Sequence, residues 1–350
     1  MPTGTTYMHR CLELALKGSG TVAPNPLVGA VLVYEDHIIG EGWHQRFGGP
    51  HAEVNCLASV KDEDRPFIPD STLYVSLEPC AHFGKTPPCT DLIVSQHIPE
   101  VVVGCRDPFE QANGKGIEKL LAAGVRVSIT DTETEKACRH LNRRFMTYHT
   151  RKRPYVILTW AQTADGFISS GSDSRLLISN EITKRLVHRW RNEEASILVG
   201  TNTALMDDPQ LTNRSWEGSS PVRLVLDMEL KLPHGLKLFD QSHATIIFNG
   251  LREGEEGKLR YCKITREENV PLQILRGLFG LQIQGVIVEG GAQLLQSFID
   301  ARLWDEARII TNTSLHVDGG LAAPVLEDSV LLASQQIGSD IIKTHERSEP

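Results

Sequence analysis

Thr72-Leu73-Tyr74-Val75-Ser76-Leu77-Glu78-Pro79-Cys80, with Cys89 shortly after it, reads as a β-rich strand running into a Pro-Cys turn. Upstream, His51-Ala52-Glu53-Val54-Asn55-Cys56-Leu57 places Ala52, Val54, Cys56 and Leu57 so as to suit a helix that opens at His51. A single His or Cys in a globular chain packs in the core more often than it binds anything. Here four residue types stand in order: His51, Glu53, Cys80 and Cys89. His51, Cys80 and Cys89 are zinc ligands by type. Three protein ligands leave the fourth position of the metal open to a water, whose pKa then falls to about 7. Glu53, two residues past the first ligand, is the free carboxylate positioned to carry that water's proton. Both ligand clusters are expected at helix starts, His51 at one and Cys80 at another, where backbone N–H groups favour a thiolate.

Working outward, 350 residues allow two domains, each large enough for its own core. The seven cysteines follow no disulfide framework, which fits a reducing, cytoplasmic setting. Two of them are assigned to metal; Cys11, Cys56, Cys105, Cys138 and Cys262 are read as ordinary buried residues. No basic segment followed by an apolar stretch opens the chain, and no apolar run approaches the ~20 residues of a membrane span. A net charge of −8 argues against a nonspecific nucleic-acid binder and leaves a small anionic substrate open. Arg143-Arg144 with Arg151-Lys152-Arg153 is the densest basic stretch, read as a solvated helix end and linker. A homo-oligomer is compatible with the sequence, which does not determine it.

The chain is expected to open with an amphipathic helix carrying Met8, Cys11, Leu12, Ala15 and Leu16, capped by Thr5 or Thr6. Strands follow at 28–34 and 38–43. After them come the His51 helix, the Leu73 strand, the Cys80 helix, a strand at 101–103, a helix at 117–123 and a strand at 125–129. This alternation indicates a layered α/β sheet. A long charged helix from Thr132 to about Tyr148 leads to a boundary in the basic segment ending at Pro154. The second half restarts with a strand at 155–158, a helix at 182–191 and strands at 197–199, 222–226, 244–248, 286–288 and 307–311. Gly285-Val286-Ile287-Val288-Glu289-Gly290-Gly291, followed by a helical 293–299, is its most suggestive element. A Gly-Gly turn at a helix start lets backbone N–H groups approach a phosphate, or is merely a tight connection; the dinucleotide fingerprint is absent.

His-x-Glu followed by Pro-Cys-x-x-Cys marks the zinc-dependent base deaminases, and this chain departs from it in having eight residues between Cys80 and Cys89. That gap, Pro24-Asn25-Pro26-Leu27-Val28-Gly29, Gly42-Trp43-His44 and Glu78 to Cys89 closely resemble the bifunctional riboflavin-biosynthesis deaminase/reductase family of bacteria. So do Leu158 to Gly166, Gly200 to Arg214 and Glu289-Gly290-Gly291, and the resemblance spans nearly the whole chain in order.

The resemblance implies an α/β chain in two parts. A cytidine-deaminase-like three-layer zinc-dependent deaminase domain would occupy residues 1–149, and a dihydrofolate-reductase-like NADPH-dependent reductase domain residues 150–350. It also implies two consecutive reactions on one phosphorylated pyrimidine: zinc hydrolysis of a ring amino group, then reduction of the ribosyl to a ribityl group with NADPH. Carried over residue by residue, Asn25 and His44 line the pyrimidine pocket, and His82, Lys85 and Thr86 lie on the loop between the cysteines. Gln162, Thr203, Asp207 and the turn Gly291, Ala292, Gln293, Leu294, Leu295, Gln296 and Ser297 contact NADPH. Arg175, Arg191, Leu211, Arg214 and Glu289 fall where the substrate binds, the arginines suiting a phosphate by charge-assisted bonds. The chain departs from the family with Arg175-Leu176-Leu177 in place of a common Ser-x-Trp, and with Thr159 in place of a common Lys. Two rival readings are a tRNA adenosine deaminase, which would ordinarily show the short cysteine gap and a basic surface, and a deaminase with a non-catalytic C-terminal scaffold.

Overall fold

A computed structural model describes residues 4–83, 87–110, 112–171 and 176–348. The chain divides into two compact units, Met1–Lys152 and Arg153–Pro350.

In the first unit, α1 (Gly4–Leu16) precedes β1 (Gly29–Tyr34) and β2 (His37–Trp43). Next come α2 (Ala52–Ala58), β3 (Thr72–Val75), α3 (Cys89–Ser95), β4 (Glu100–Val103), α4 (Lys115–Ala122) and β5 (Arg126–Ile129). The unit ends in α5 (Thr132–Leu141) and α6 (Arg143–Arg151). The strands lie in the order β2-β1-β3-β4-β5, with β3, β4 and β5 parallel. Successive side chains of a strand face opposite ways, so each face carries its own core. Leu32, Leu73, Val75, Val101 and Val103 pack with residues of α2, α3 and α4, while Val31 and Val33 pack with Met8, Cys11 and Leu14 of α1, Cys138 of α5 and Phe145 of α6. The result is three layers. A Cβ on Gly42 would stand 2.2 Å from the Cys56 amide nitrogen, so glycine alone allows β2 to lie this close to α2.

Two expectations for this unit are corrected. No helix opens at Cys80; α3 begins at Cys89, directly after Pro87 and Pro88. A proline holds the residue before it out of the helical region, and Pro88 itself is extended (φ −58°, ψ 134°). The single charged helix is two helices, broken at Asn142 (φ −98°, ψ 22°). The Asn142 amide ties back to the segment before β1, accepting from the Leu27 N–H and donating to the Leu27 carbonyl, both at 2.8 Å.

In the second unit, β6 (Tyr155–Thr163), β7 (Phe167–Ser169), α7 (Glu181–Glu193), β8 (Ser196–Gly200), α8 (Thr201–Asp207), β9 (Val222–Leu226) and β10 (Thr245–Asn249) come first. Then follow β11 (Gly254–Glu256), β12 (Leu259–Lys263), α9 (Val270–Gly280), β13 (Gly285–Val288), α10 (Ala292–Asp300), β14 (Glu306–Asn312), β15 (Leu321–Ala322), β16 (Ser329–Ile337) and β17 (Asp340–Arg347). A ten-stranded sheet runs β11-β12-β10-β9-β8-β13-β6-β14-β17-β16. It is parallel from β12 to β14 and antiparallel at both edges. Helices cover both faces, as a parallel sheet requires: α9 and α10 pack on Val156, Leu158, Val286 and Val288, and Trp190 of α7 and Ala204 of α8 on Ile157, Ile197, Val199 and Ile287.

Arg153 is not solvated linker. It is buried in this unit, its guanidinium bound at both nitrogens to Asp305 (2.6 and 2.7 Å). Cys262 is only partly buried, unlike Cys11, Cys56, Cys105 and Cys138.

Replacing Asn142 by Ala removes both bonds to Leu27 and is expected to cost about 2 kcal/mol. Urea denaturation checks this; an unchanged midpoint would mean that the tether carries no stability.

Candidate active site

His51 is the N-cap of α2 and Cys89 the first residue of α3, while Cys80 lies on the turn before it. Their ligand atoms all lie within 4.8 Å of one another. His51 Nδ1 stands 3.5 Å from Cys80 Sγ and 3.4 Å from Cys89 Sγ. Tetrahedral zinc with bonds of 2.0–2.3 Å separates such a nitrogen and sulfur by about 3.5 Å, so the donor set and its spacing fit the metal.

The Cys89 thiol, with His51 and the Cys89 N–H (3.4 Å) assisting, brings the Cys80 thiol down to about 4, and Cys89 is held correspondingly high by its bond to Cys80. Glu53 lies in the first turn of α2, buried and outside the ligand cluster. Burial first, and then the Cys80 charge, pushes its carboxyl above the usual range, which suits a group that takes up and releases a proton.

Asn25 and His44 meet beside this cluster. His44 Nδ1 donates to the Pro50 carbonyl (2.9 Å), which leaves Nε2 to accept from the Asn25 amide (3.0 Å). That assignment needs a neutral ring, and burial lowers the His44 pKa accordingly. The His44 and His51 rings stand edge to face at 5.6 Å. His82 is exposed, its ring 6.2 Å from that of Phe109; Lys85 and Thr86 lie outside the described residues.

Glu78, directly before Pro79-Cys80, has a structural task. The buried Glu78 carboxylate accepts four backbone N–H groups, from Asp107 (3.2 Å), Gly114 (3.1 Å), Gly116 (2.9 Å) and Ile117 (3.3 Å). It therefore anchors the Pro79-Cys80 turn to the start of α4. The approach is so close that a Cβ on Gly116 would fall 2.0 Å from the Pro79 carbonyl oxygen. The only signal in the sequence was an acidic residue directly before Pro-Cys.

In the second unit, Glu289 directly follows β13 and pairs with Arg191 of α7 through both oxygens (2.9 and 2.5 Å). Arg191 Nη1 donates to the Thr212 carbonyl (3.3 Å). The guanidinium expected to clamp a phosphate is thus committed to protein partners, because the acid at the strand end lies within its reach. Arg214 is exposed; its Nη1 donates to Thr212 Oγ1 (3.2 Å) and its amide to His188 Nδ1 (3.1 Å). Leu211 is buried, and Arg175 lies outside the described residues.

Thr203 Oγ1 is 3.2 Å from where a Cβ on Gly291 would stand, which places α8 against the Gly-Gly turn. At the start of α10 the amides of Gly291, Ala292, Gln293 and Leu294 precede the first intrahelical bond, Leu295 N–H to Gly291 O. Side chains further along have other tasks. Leu294 and Leu295 are buried in the core, Gln296 binds Asp300 and the Val325 amide, and Ser297 donates to the Leu294 carbonyl. Gln162 accepts from the Trp160 indole (2.8 Å), and Asp207 ends α8. Thr159 is buried, its hydroxyl donating to the Arg308 carbonyl (3.0 Å).

Comparison with known proteins covers both units. Residues 1–105 match the cytidine and deoxycytidylate deaminase zinc-binding region, and residues 154–331 match the RibD C-terminal domain. The riboflavin biosynthesis protein RibD of Aquifex aeolicus is 37% identical, with 96% of each chain covered. The chain belongs to the RibD family.

The RibD of Escherichia coli is 32% identical over 86% of this chain and 85% of its own. A Thermotoga maritima crystal structure, a diaminohydroxyphosphoribosylaminopyrimidine deaminase/5-amino-6-(5-phosphoribosylamino)uracil reductase, superposes with a TM-score of 0.88 at 35% identity, covering 98% of both chains. Acinetobacter baumannii RibD gives 0.87 at 29% identity, covering 99% of both. The two units accordingly have the cytidine-deaminase-like and dihydrofolate-reductase-like α/β folds of RibD proteins, and neither rival reading is supported.

Cys89→Ser should abolish tight zinc binding, read by metal analysis of the purified protein; full occupancy in the variant would make Cys89 a core thiol only. Glu78→Ala should lower stability by about 3 kcal/mol, since several buried N–H groups lose their acceptor. Denaturation and zinc content measured on the same sample should fall together.

Proposed function

We propose that the chain performs the two RibD reactions, each in one unit. The first is hydrolytic deamination of 2,5-diamino-6-(5-phosphoribosylamino)pyrimidin-4-one, and the second is NADPH-dependent reduction of the product's ribosyl group to ribityl. The observation that carries the reading is the convergence of His51 Nδ1, Cys80 Sγ and Cys89 Sγ beside a buried, non-ligating Glu53, in a chain whose second unit matches the RibD C-terminal domain. Zinc, when bound there, supplies a water acidic enough to attack at neutral pH.

With a zinc held by His51, Cys80 and Cys89, Glu53 would move two protons in turn, the first from the attacking water to the ring nitrogen and the second from the newly added hydroxyl to the departing amino group, which leaves as ammonia. A buried carboxyl with a raised pKa supports that role. Asn25 and His44 orient the pyrimidine: the neutral His44 ring holds the Asn25 amide, and the Asn25 carbonyl oxygen faces the substrate.

In the second unit NADPH, when bound, supplies the hydride. The α10 start, Thr203, Asp207 and Gln162 hold the cofactor, and the helix-start amides suit its phosphates. Arg214 captures the substrate phosphate, and the Arg191–Glu289 pair shapes the pocket around it. Partners are small molecules rather than nucleic acid, in keeping with the net charge of −8. No helix among the described residues is long and apolar enough to cross a membrane. A reducing, cytoplasmic compartment suits a site built on two thiols and a chain whose other cysteines are free.

Glu53→Gln should keep its zinc while deamination falls by ~10²-fold to 10⁴-fold, the worth of a general acid/base, and reduction of supplied deaminated substrate should continue. Loss of metal in that variant would make Glu53 a ligand instead. Arg214→Ala should do the reverse, leaving deamination intact and raising the reductase KM for its phosphorylated substrate by about 10-fold or more. Separate steady-state assays of the two half-reactions decide both.

A further inference from the structure

The second unit contains a histidine that neither half of the proposed chemistry uses. His188 stands one turn before Arg191 on α7, so the two side chains leave the same face of the helix. Each holds one backbone group of the 212–214 segment: Arg191 Nη1 donates to the Thr212 carbonyl at 3.3 Å, and His188 Nδ1 accepts the Arg214 N–H at 3.1 Å. The Arg214 side chain then leans on the same segment, Nη1 donating to Thr212 Oγ1 at 3.2 Å. Just before it, the buried Leu211 is left-handed (φ 52°). A non-glycine residue keeps that conformation only where its surroundings over-determine it.

We propose that His188 is the positioning residue for Arg214, fixing through the Arg214 amide where the guanidinium meets the substrate phosphate; the proposal rests on the reductase reading above.

The ring can do this only as an acceptor at Nδ1. Burial, reinforced by Arg191 and Arg214 and opposed by Glu289 and the Thr212 backbone, keeps its pKa below the ordinary value, so it is neutral near pH 7. Arg191 is paired with Glu289, and Arg214 is the arginine to which the reductase reading gives phosphate capture. An Asn at 188 keeps an acceptor for the Arg214 N–H, whereas a Leu fills similar space without one.

The test uses the full-length enzyme with NADPH and supplied deaminated substrate. Turnover by the parent protein establishes the reductase reading independently of His188. His188→Leu should then raise KM for the phosphorylated substrate by about 10-fold, the worth of one lost buried hydrogen bond, with kcat and NADPH affinity unchanged. His188→Asn should recover most of the loss. In an Arg214→Ala background, His188→Leu should add almost nothing, because both changes remove the same interaction. Parent-like KM in His188→Leu, no rescue by Asn, additive losses in the double variant, or loss of NADPH binding with the substrate defect would each overturn the proposal, the last by showing a merely structural role.

Discussion

Two sulfurs and an imidazole nitrogen reach one point in the first unit because a buried carboxylate holds the turn that carries one of them. Cys80 sits on irregular backbone 3.5 Å from His51 Nδ1, with the Thr90 N–H on its carbonyl and the Cys89 N–H on its sulfur, and these contacts tie it only to α3. Glu78 supplies the constraint by gathering the amides of Asp107, Gly114, Gly116 and Ile117 onto one side chain. Its negative charge is met by four N–H dipoles, two of them at the N-terminus of α4, where an anion is favoured. The glycine at 116 and the glycine at 42 do comparable work from opposite sides. Gly116 removes a Cβ that would push α4 off the turn carrying Cys80, and Gly42 removes one that would push β2 off α2, whose N-cap is His51.

The second unit solves a similar problem with an ion pair. Glu289 stands at the C-terminal end of the buried strand β13, the side of a parallel sheet on which ligands bind. Its bidentate pairing with Arg191 joins α7 to that strand end, and the remaining Arg191 nitrogen reaches the segment that bears Arg214. A buried pair of this kind contributes little net stability against its desolvation. Its value lies in geometry, since it joins α7, the end of β13 and the segment that bears Arg214.

Much of this was legible along the chain. The His-x-Glu and Pro-Cys signatures named the ligands and the proton carrier, because zinc chemistry restricts residue type more tightly than it restricts distance. The alternating strands and helices of the first unit were readable from apolar spacing, since Val31 and Leu32, or Val101 and Val103, must face defined sides of a sheet. What escaped was weakly periodic or nonlocal. The seven residues of α8 are too few to show a helical stripe, and β16 is exposed along most of its length and so carries no apolar alternation. The break at Asn142 was invisible because its cause is Leu27, far away in sequence.

The sequence by itself determined the chemistry: three soft or borderline ligands, one free carboxylate, a second α/β unit with a Gly-Gly turn, and the order in which they come. Tertiary structure alone decided which charged groups were spent on the protein. Arg191, Arg153 and Glu78 all look available when read as letters. Each is neutralised by a partner, Glu289, Asp305 or a ring of backbone amides, that the chain brings alongside only by folding. The physical reason is that a charge declares its type locally, whereas its cost of burial is met by whatever the fold puts within about 3 Å of it.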